Sequence, residues 1–205
     1  MSSSARRRRL APAERRAELV DVGARLFAAK PYDDVLMEDV AERAGVSRAL
    51  LYRYFPAKRD LFAAIYQQAA DRLLATAVFD PDVPVADQVA AALDAHIDYF
   101  VANRNTVLAA NRVLAGDRVI QTIIDDECAA LQRRLLDATG IDGRTREALS
   151  SVLMSWLVFV RTLCVDWLVS EAYSRDELKA VCLGALQGAV SPFTGENQLS
   201  NTVTP

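Results

Sequence analysis

The chain has 205 residues but only one histidine, three cysteines and eight glycines, and each scarcity removes a class of function. With His96 alone, no histidine-based metal cluster or catalytic triad can form within the chain. On a helical stretch His96 reads as a partly buried polar residue rather than a ligand. Cys128, Cys164 and Cys182 are odd in number, widely spaced and form no Cys-x-x-Cys pair, which argues against a disulfide framework or a zinc site. They read as buried, reduced thiols of a cytoplasmic protein. No glycine-rich phosphate loop and no nucleophile–base pair stand out, so neither a cofactor nor an enzymatic activity is expected. The basic N-terminus lacks the apolar run of a secretory signal. One apolar stretch, Val152–Val169, invites a membrane reading, but Arg161 and Asp166 interrupt it. Either charge costs about 2.5–3.5 kcal/mol at a bilayer centre. A buried helix at a protein interface is expected instead, with no membrane partner.

What is present is apolar and helical. Hydrophobic residues make up 52% of the chain, enough for a sizeable core, and no long apolar/polar alternation appears. The fold class is all-α, with one small domain joined to a larger one. The net charge of −3 divides unevenly. Residues 1–60 hold 13 Lys and Arg against 9 Asp and Glu, a net of +4, and the remainder carries −7. A basic front on an acidic body suits a chain of which one part meets phosphates.

Residues 1–11 form a polar, arginine-rich arm. Its Arg6–Arg9 tract can track a DNA minor groove or merely aid solubility, and the sequence leaves both open. Residues 12–78 carry four helical patterns: Pro12 opens the first, Lys30-Pro31 ends it, and Pro56 closes the third. Asp80-Pro81-Asp82-Val83-Pro84 is the clearest punctuation and introduces a larger helical domain over residues 79–190. There, helices are expected near 85–102, 105–115, 117–139, 144–171 and 175–190, with Gly140 as a stop and Ser174 with Glu177 as a capping box. Residues 191–205 read as a disordered tail.

The most informative local feature is Gly45-Val46-Ser47, between the helical patterns Met37–Ala44 and Arg48–Phe55. Glycine tolerates the left-handed backbone that ends one helix, and the serine can cap the next within three residues. Two helices joined so tightly cross steeply, as in a helix-turn-helix, whose second helix projects into the DNA major groove. Leu51 and Phe55 fill the inward stripe of that helix, so Tyr52 and Tyr54 on other faces call for a second role, which DNA supplies.

The stretch from Leu26 to Phe62 resembles the DNA-binding head of the tetracycline-repressor (TetR) family. Phe27, Tyr32, the run Met37 to Ser47, Leu51 to Phe55, Lys58 and Leu61 carry the likeness. The resemblance implies a homodimeric transcription factor, usually a repressor, whose third helices read the two halves of an operator. It assigns Arg48 and Ala49 to base edges, Tyr52 to the groove wall or a thymine methyl, and Tyr54 and Lys58 to phosphates. Ser47 would cap the helix and touch backbone, and Glu38 would accept from a cytosine. Arg53 completes the charged face. The chain departs from the pattern at Leu36, where threonine is common; Asp33 or Asp34 is expected to cap the second helix from further back. It departs again at Ala49 and Leu50, where glycine and threonine are common, so Leu50 would meet an apolar base edge instead of a phosphate.

For the larger domain, aromatics mixed with isolated amides suit an apolar effector pocket. Tyr99, Phe100, Asn103, Asn111, Met154, Trp156, Phe159, Leu163 and Trp167 are the candidate lining, a choice that rests mainly on the resemblance. The last two long helices are apolar enough to need covering and fit a two-fold four-helix dimer interface. The leading function is a DNA-binding repressor released by a small apolar or amphipathic ligand. One rival is a DNA-binding or architectural protein without an effector, which predicts a dry, filled larger domain. A remote rival is a helical enzyme or lipid carrier.

Overall fold

The computed structural model describes residues 10–193. The Arg6–Arg9 tract and residues 194–205, read above as an arm and most of a tail, lie outside the described residues. The described chain folds into helices α1 (Pro12–Ala29), α2 (Met37–Ala44), α3 (Arg48–Tyr54), α4 (Lys58–Thr76), α5 (Val85–Ala102), α6 (Arg104–Leu108), α7 (Arg118–Thr139), α8 (Gly143–Ser170) and α9 (Arg175–Val190). No strand occurs among the described residues.

Local chemistry explains most boundaries. Pro12 occupies the first turn of α1, where its missing N–H costs nothing, and the Ala11 N–H donates to Glu14 Oε2 at 2.8 Å. Lys30 turns extended before Pro31, which ends the helix. Gly140 ends α7 in the left-handed region at φ 63°, and Ser174 with Glu177 forms the capping box of α9. The start of α2 differs from expectation. No side chain caps it, because Asp33 and Asp34 are committed to a 3₁₀ turn, Tyr32–Asp34, with the Asp34 N–H donating to the Pro31 carbonyl. The first residues of the expected tail are ordered. Ser191–Phe193 forms a further 3₁₀ turn, and Phe193 packs on the apolar core.

The buried core does not divide at the Asp80–Pro84 turn. One apolar cluster starts with Leu19, Leu26, Phe27, Leu51, Phe55 and Phe62 and continues into Ala110, Ile120, Ile124 and Cys128. The second joins α5, α8 and α9 through Leu93, Ile97, Leu153, Trp156 and Leu178. The first three helices therefore rest on α4 and, through it, on α7. At Gly23 an added Cβ would sit 2.9 Å from Ile65 Cδ1, so glycine is what lets α1 close on α4. Polar ties reinforce the seam: Asn105 Nδ2 donates to the Ala28 carbonyl at 2.9 Å, and Arg59 pairs with Asp117 at 3.3 Å. Arg134 donates to the Leu74 and Ala77 carbonyls, closing the end of α4 against α7.

Helix α8, with 28 residues, is long and apolar enough to cross a membrane. In the fold it packs between α7 and α9 and turns Arg161 inward, while Asp166 lies on its exposed side and pairs with Arg112.

Candidate DNA-reading face and body cavity

The α2–α3 turn is built by backbone chemistry. Gly45 adopts φ 62° and the Val46 N–H donates to the Ala41 carbonyl at 2.9 Å, which satisfies the end of α2. Ser47 Oγ then accepts from the Leu50 N–H at 3.2 Å and starts α3. Leu51 and, just beyond the helix, Phe55 point into the core. This leaves Arg48, Ala49, Tyr52 and Arg53 on an exposed face. Tyr52 is 42% exposed, unusual for a large aromatic ring that has no partner of its own kind to cover it. Arg48 Nη1 lies 3.2 Å from Glu38 Oε1 across the turn, with 68% of the arginine side chain exposed. An arginine held there presents a planar fork that suits the two acceptors of guanine, and the glutamate beside it is an acceptor for a cytosine amine.

Two expected contacts have other partners. Lys58 Nζ donates to the carbonyls of Tyr32 at 2.8 Å, Val35 at 3.2 Å and Asp33 at 3.4 Å, and lies 4.4 Å from the Tyr32 ring centre. With its three N–H groups so engaged, Lys58 locks the α1–α2 connection and is not presented to a phosphate. Tyr54 is half-buried against the core, with Arg53 over its ring at 5.8 Å. Leu50 is likewise half-buried.

The body holds a second polar feature. Arg161 is 8% exposed and Glu127 is 4% exposed. Arg161 Nη2 donates to Glu127 Oε2 at 2.8 Å, and Nη1 donates to Tyr66 Oη on α4 at 2.9 Å. Burial opposes the guanidinium charge, but Tyr66 and Glu127 beside it outweigh that and raise its pKa. Tyr66 itself is raised by burial, as is Cys128, and Tyr99 is pushed up to about 12 for the same reason. Against this centre lies an apolar cavity of about 410 Å³, within the usual size range of small-molecule sites. Its wall includes Leu73 from the last turn of α4, Ala77 and Val78 just past its end, Leu93 and His96 from α5, Leu131 from α7, and Trp156 and Arg161 from α8. The His96 ring edge is partly exposed, but its Nε2 is sealed and has no partner. Burial, with the charge of Arg161 adding, pushes its pKa down to about 3. A wider cleft of about 820 Å³ opens on the other side of Arg161, beside Asn111 and Met154.

Residues 19–65 match the family model for bacterial regulatory proteins of the tetR family. That match covers the head of the chain, from α1 to the first half of α4. An HTH-type transcriptional activator, FasR, from Mycolicibacterium smegmatis is 36% identical over 66 residues, a stretch that spans 32% of this chain and 30% of that protein. A tetR-family transcriptional regulator from Streptomyces coelicolor shares the fold, with a TM-score of 0.80 at 24% identity over 90% of this chain and 83% of that one. A TetR transcriptional regulator from Rhodococcus sp. RHA1 does so with a TM-score of 0.68 at 22% identity, over 90% of this chain and 100% of that one. The described residues are thus all-helical, with a helix-turn-helix head that matches the tetR-family model.

The body distributes the nine expected pocket residues widely. Trp156 lines the apolar cavity, with its Nε1–H on the Cys182 carbonyl at 2.8 Å, and Asn111 and Met154 line the wider cleft. Tyr99, Phe100, Asn103, Phe159, Leu163 and Trp167 line neither hollow. Asn103 ends α5 and Phe159 faces outward on α8, while Trp167 donates to the Tyr173 carbonyl at 2.7 Å. The sequence reading missed Tyr66, Glu127 and the inward role of Arg161. The available signal was Arg161 itself, an isolated charge inside the most apolar stretch of the chain.

Proposed function

We propose that the chain is a sequence-specific DNA-binding transcriptional regulator of the cytoplasm, a repressor that leaves a near-palindromic operator when a small apolar or amphipathic molecule enters its body. The observation that carries this reading is the double role of α4. Its first half packs under α1 through Leu61 and Ile65, and Leu73 in its last turn, with Ala77 and Val78 just beyond it, walls the apolar cavity. Tyr66, between them, is bonded to Arg161, which lines the same cavity. A ligand that displaces the end of α4 moves the head, and a coupling of about 1–3 kcal/mol weakens DNA binding about 5–150-fold.

In this reading α3 enters the major groove. Arg48 and Ala49 meet base edges, Tyr52 meets the groove wall, and Glu38 reads a base or releases Arg48 to do so. Ser47, Arg53 and Tyr54 lie toward the phosphates and Leu50 toward an apolar base edge. The homodimer forms through α8 and α9, where Val158, Phe159, Val169 and Val181 leave an apolar face uncovered. The cavity also weighs against an architectural protein with a filled body.

A selection of genomic fragments by the purified protein tests this, repeated with Arg48→Ala and Tyr52→Ala. Enrichment of a two-fold site that both variants lose, with affinity falling steeply with salt, is the expected result. Equal enrichment by the variants removes α3 as the reading helix. Activation rather than repression is a second reading, favoured by the name of the Mycolicibacterium relative. Transcripts beside the selected sites rise on deletion of a repressor and fall on deletion of an activator.

A further inference from the structure

The apolar cavity has a mouth and a depth of different chemistry. Val78 on its rim is 77% exposed, and Ala91, Ala92 and Ala95 of α5, also on its wall, are exposed. Alanine ends at Cβ, so these three leave a gap between α5 and the residues that follow α4. The depth is made by Val89, Leu93, Leu135, Trp156 and Val160, all buried.

The polar groups of the wall are committed to the fold. Trp156 Nε1–H donates to the Cys182 carbonyl at 2.8 Å, and Arg161 is engaged with Glu127 and Tyr66. Arg161 Nε and His96 Nε2 are sealed by protein atoms. Gln88 holds the turn after α4: its Nε2 donates to the carbonyls of Asp80 at 2.8 Å and Val83 at 2.7 Å, and its Oε1 accepts from the Asp80 N–H at 2.7 Å. The depth therefore offers an occupant hydrocarbon. A hydroxyl or carboxylate carried there gives up its bonds to water without replacing them, whereas each methylene carried in is favourable. At the mouth, charges of both signs stand near water. Arg134 donates to the Ala77 carbonyl at 2.8 Å, and Asp80 is exposed beside Gln88.

We infer that the effector is an amphiphile that enters hydrocarbon end first and leaves its polar end in water at the mouth between α5 and the end of α4. This rests on the proposal above that the cavity is the effector site. The length of the apolar part then sets affinity, and the charge of the polar end matters little, because the rim carries both signs and water screens them.

The test is calorimetric titration of the full chain with hexanol, octanol, decanol, decanoate, decyltrimethylammonium and 1,10-decanediol, all below micelle-forming concentrations. Affinity is expected to rise about fourfold per methylene from hexanol to decanol. Decanoate and decyltrimethylammonium are expected within about tenfold of decanol. The diol is expected to bind at least about tenfold more weakly than decanol, because its second hydroxyl is buried without a partner. Ala92→Trp, at an exposed position, narrows the mouth and is expected to weaken every probe at least about tenfold. Leu131→Trp fills the hollow and is expected to abolish binding. Urea unfolding of each variant establishes that it is folded. A diol that binds as tightly as decanol overturns the hydrocarbon depth and leaves the cavity as effector site. Ions that bind more than about a hundredfold more weakly than decanol overturn the orientation alone, as does binding that Leu131→Trp abolishes and Ala92→Trp leaves intact. Binding of none of the probes, or binding that neither variant shifts, overturns this inference together with the reading beneath it.

Discussion

Arg48 and Arg161 each pair with a glutamate, at 3.2 and 2.8 Å, in opposite surroundings. In the head, Arg48 stands out from α3 and its partner Glu38 lies at the start of α2, ten residues back, so both belong to one local motif. In the body, Arg161 is sealed among α4, α7 and α8, and its partners Glu127 and Tyr66 come from helices far away in sequence. The exposed pair is screened by water and contributes little to stability, which leaves Arg48 available to exchange its partner for a base. The buried pair fixes how α4 sits against α7 and α8. One region keeps its charges free for a partner; the other uses a charge to organise itself around a hollow.

The comparison breaks most visibly at the body pair. Arg161→Ala or Glu127→Ala leaves one buried charge uncompensated and is expected to destabilise the protein by about 3–5 kcal/mol in urea unfolding. Replacing the two together, Arg161→Met with Glu127→Leu, is expected to recover most of that, since a matched apolar pair carries no desolvation cost. Single variants that cost under about 1 kcal/mol would mean that water reaches the pair and that the two arginines do not differ in kind.

The head variant sharpens the contrast from the other side. Arg48→Ala is expected to leave stability within about 0.5 kcal/mol of the parent. Its discrimination between the operator and a site with the contacted base changed is expected to fall by about 1–3 kcal/mol. Binding assays on the two DNA sequences, at fixed salt, measure this. An unchanged ratio would place base reading elsewhere on α2 or α3.

The same contrast explains what could be read from the sequence. The turn at Gly45-Val46-Ser47, the caps at Pro12 and Gly140 and the Ser174–Glu177 box are chemistry between residues a few positions apart, so their residue types name their roles. The exposed face of α3 follows, because Leu51 and Phe55 fix the inward stripe by spacing alone. The cavity does not follow, because its wall draws on α4, α5, α7 and α8, and helical phase says which face is inward but not what lies opposite. Phe159 and Trp167 are aromatic for reasons that concern the surface of α8 and the turn at Tyr173. His96 was legible as partly buried, but not as a wall residue with an unpartnered nitrogen. The carbonyl partners of Lys58 were not legible, because sequence patterns do not display backbone acceptors.

The body's neutral histidine gives a smaller effect. The pKa of His96 is depressed from 6.5 to about 3 in the fold, so the unfolded chain binds a proton that the folded chain refuses between those values. Its contribution is complete above pH 6.5 and is lost as pH falls from there towards 3. By about pH 5.5 the loss amounts to about 1.4 kcal/mol. Urea unfolding at several pH values, compared with His96→Phe, isolates it: the parent slopes downward through this window relative to the variant. Parallel curves would mean that His96 is solvated in both states.

The smallest effect concerns Lys58, a head cation that behaves like the body's. Its ammonium holds the Tyr32 and Val35 carbonyls from the first turn of α4, tying the α1–α2 connection to the helix that reaches the cavity. Lys58→Ala is therefore expected to lower stability by about 1 kcal/mol, as for a partly exposed charged donor losing its acceptors. A phosphate contact would behave differently. Each one lost reduces the slope of log affinity against log salt by about 0.9. If Lys58 holds the connection, DNA affinity falls a little through a looser head while that slope stays where it was. A slope reduced by about 0.9 per head, with stability unmoved, would show that Lys58 leaves its carbonyls when DNA arrives. The lysine would then belong with Arg48 on the exchangeable side of the comparison.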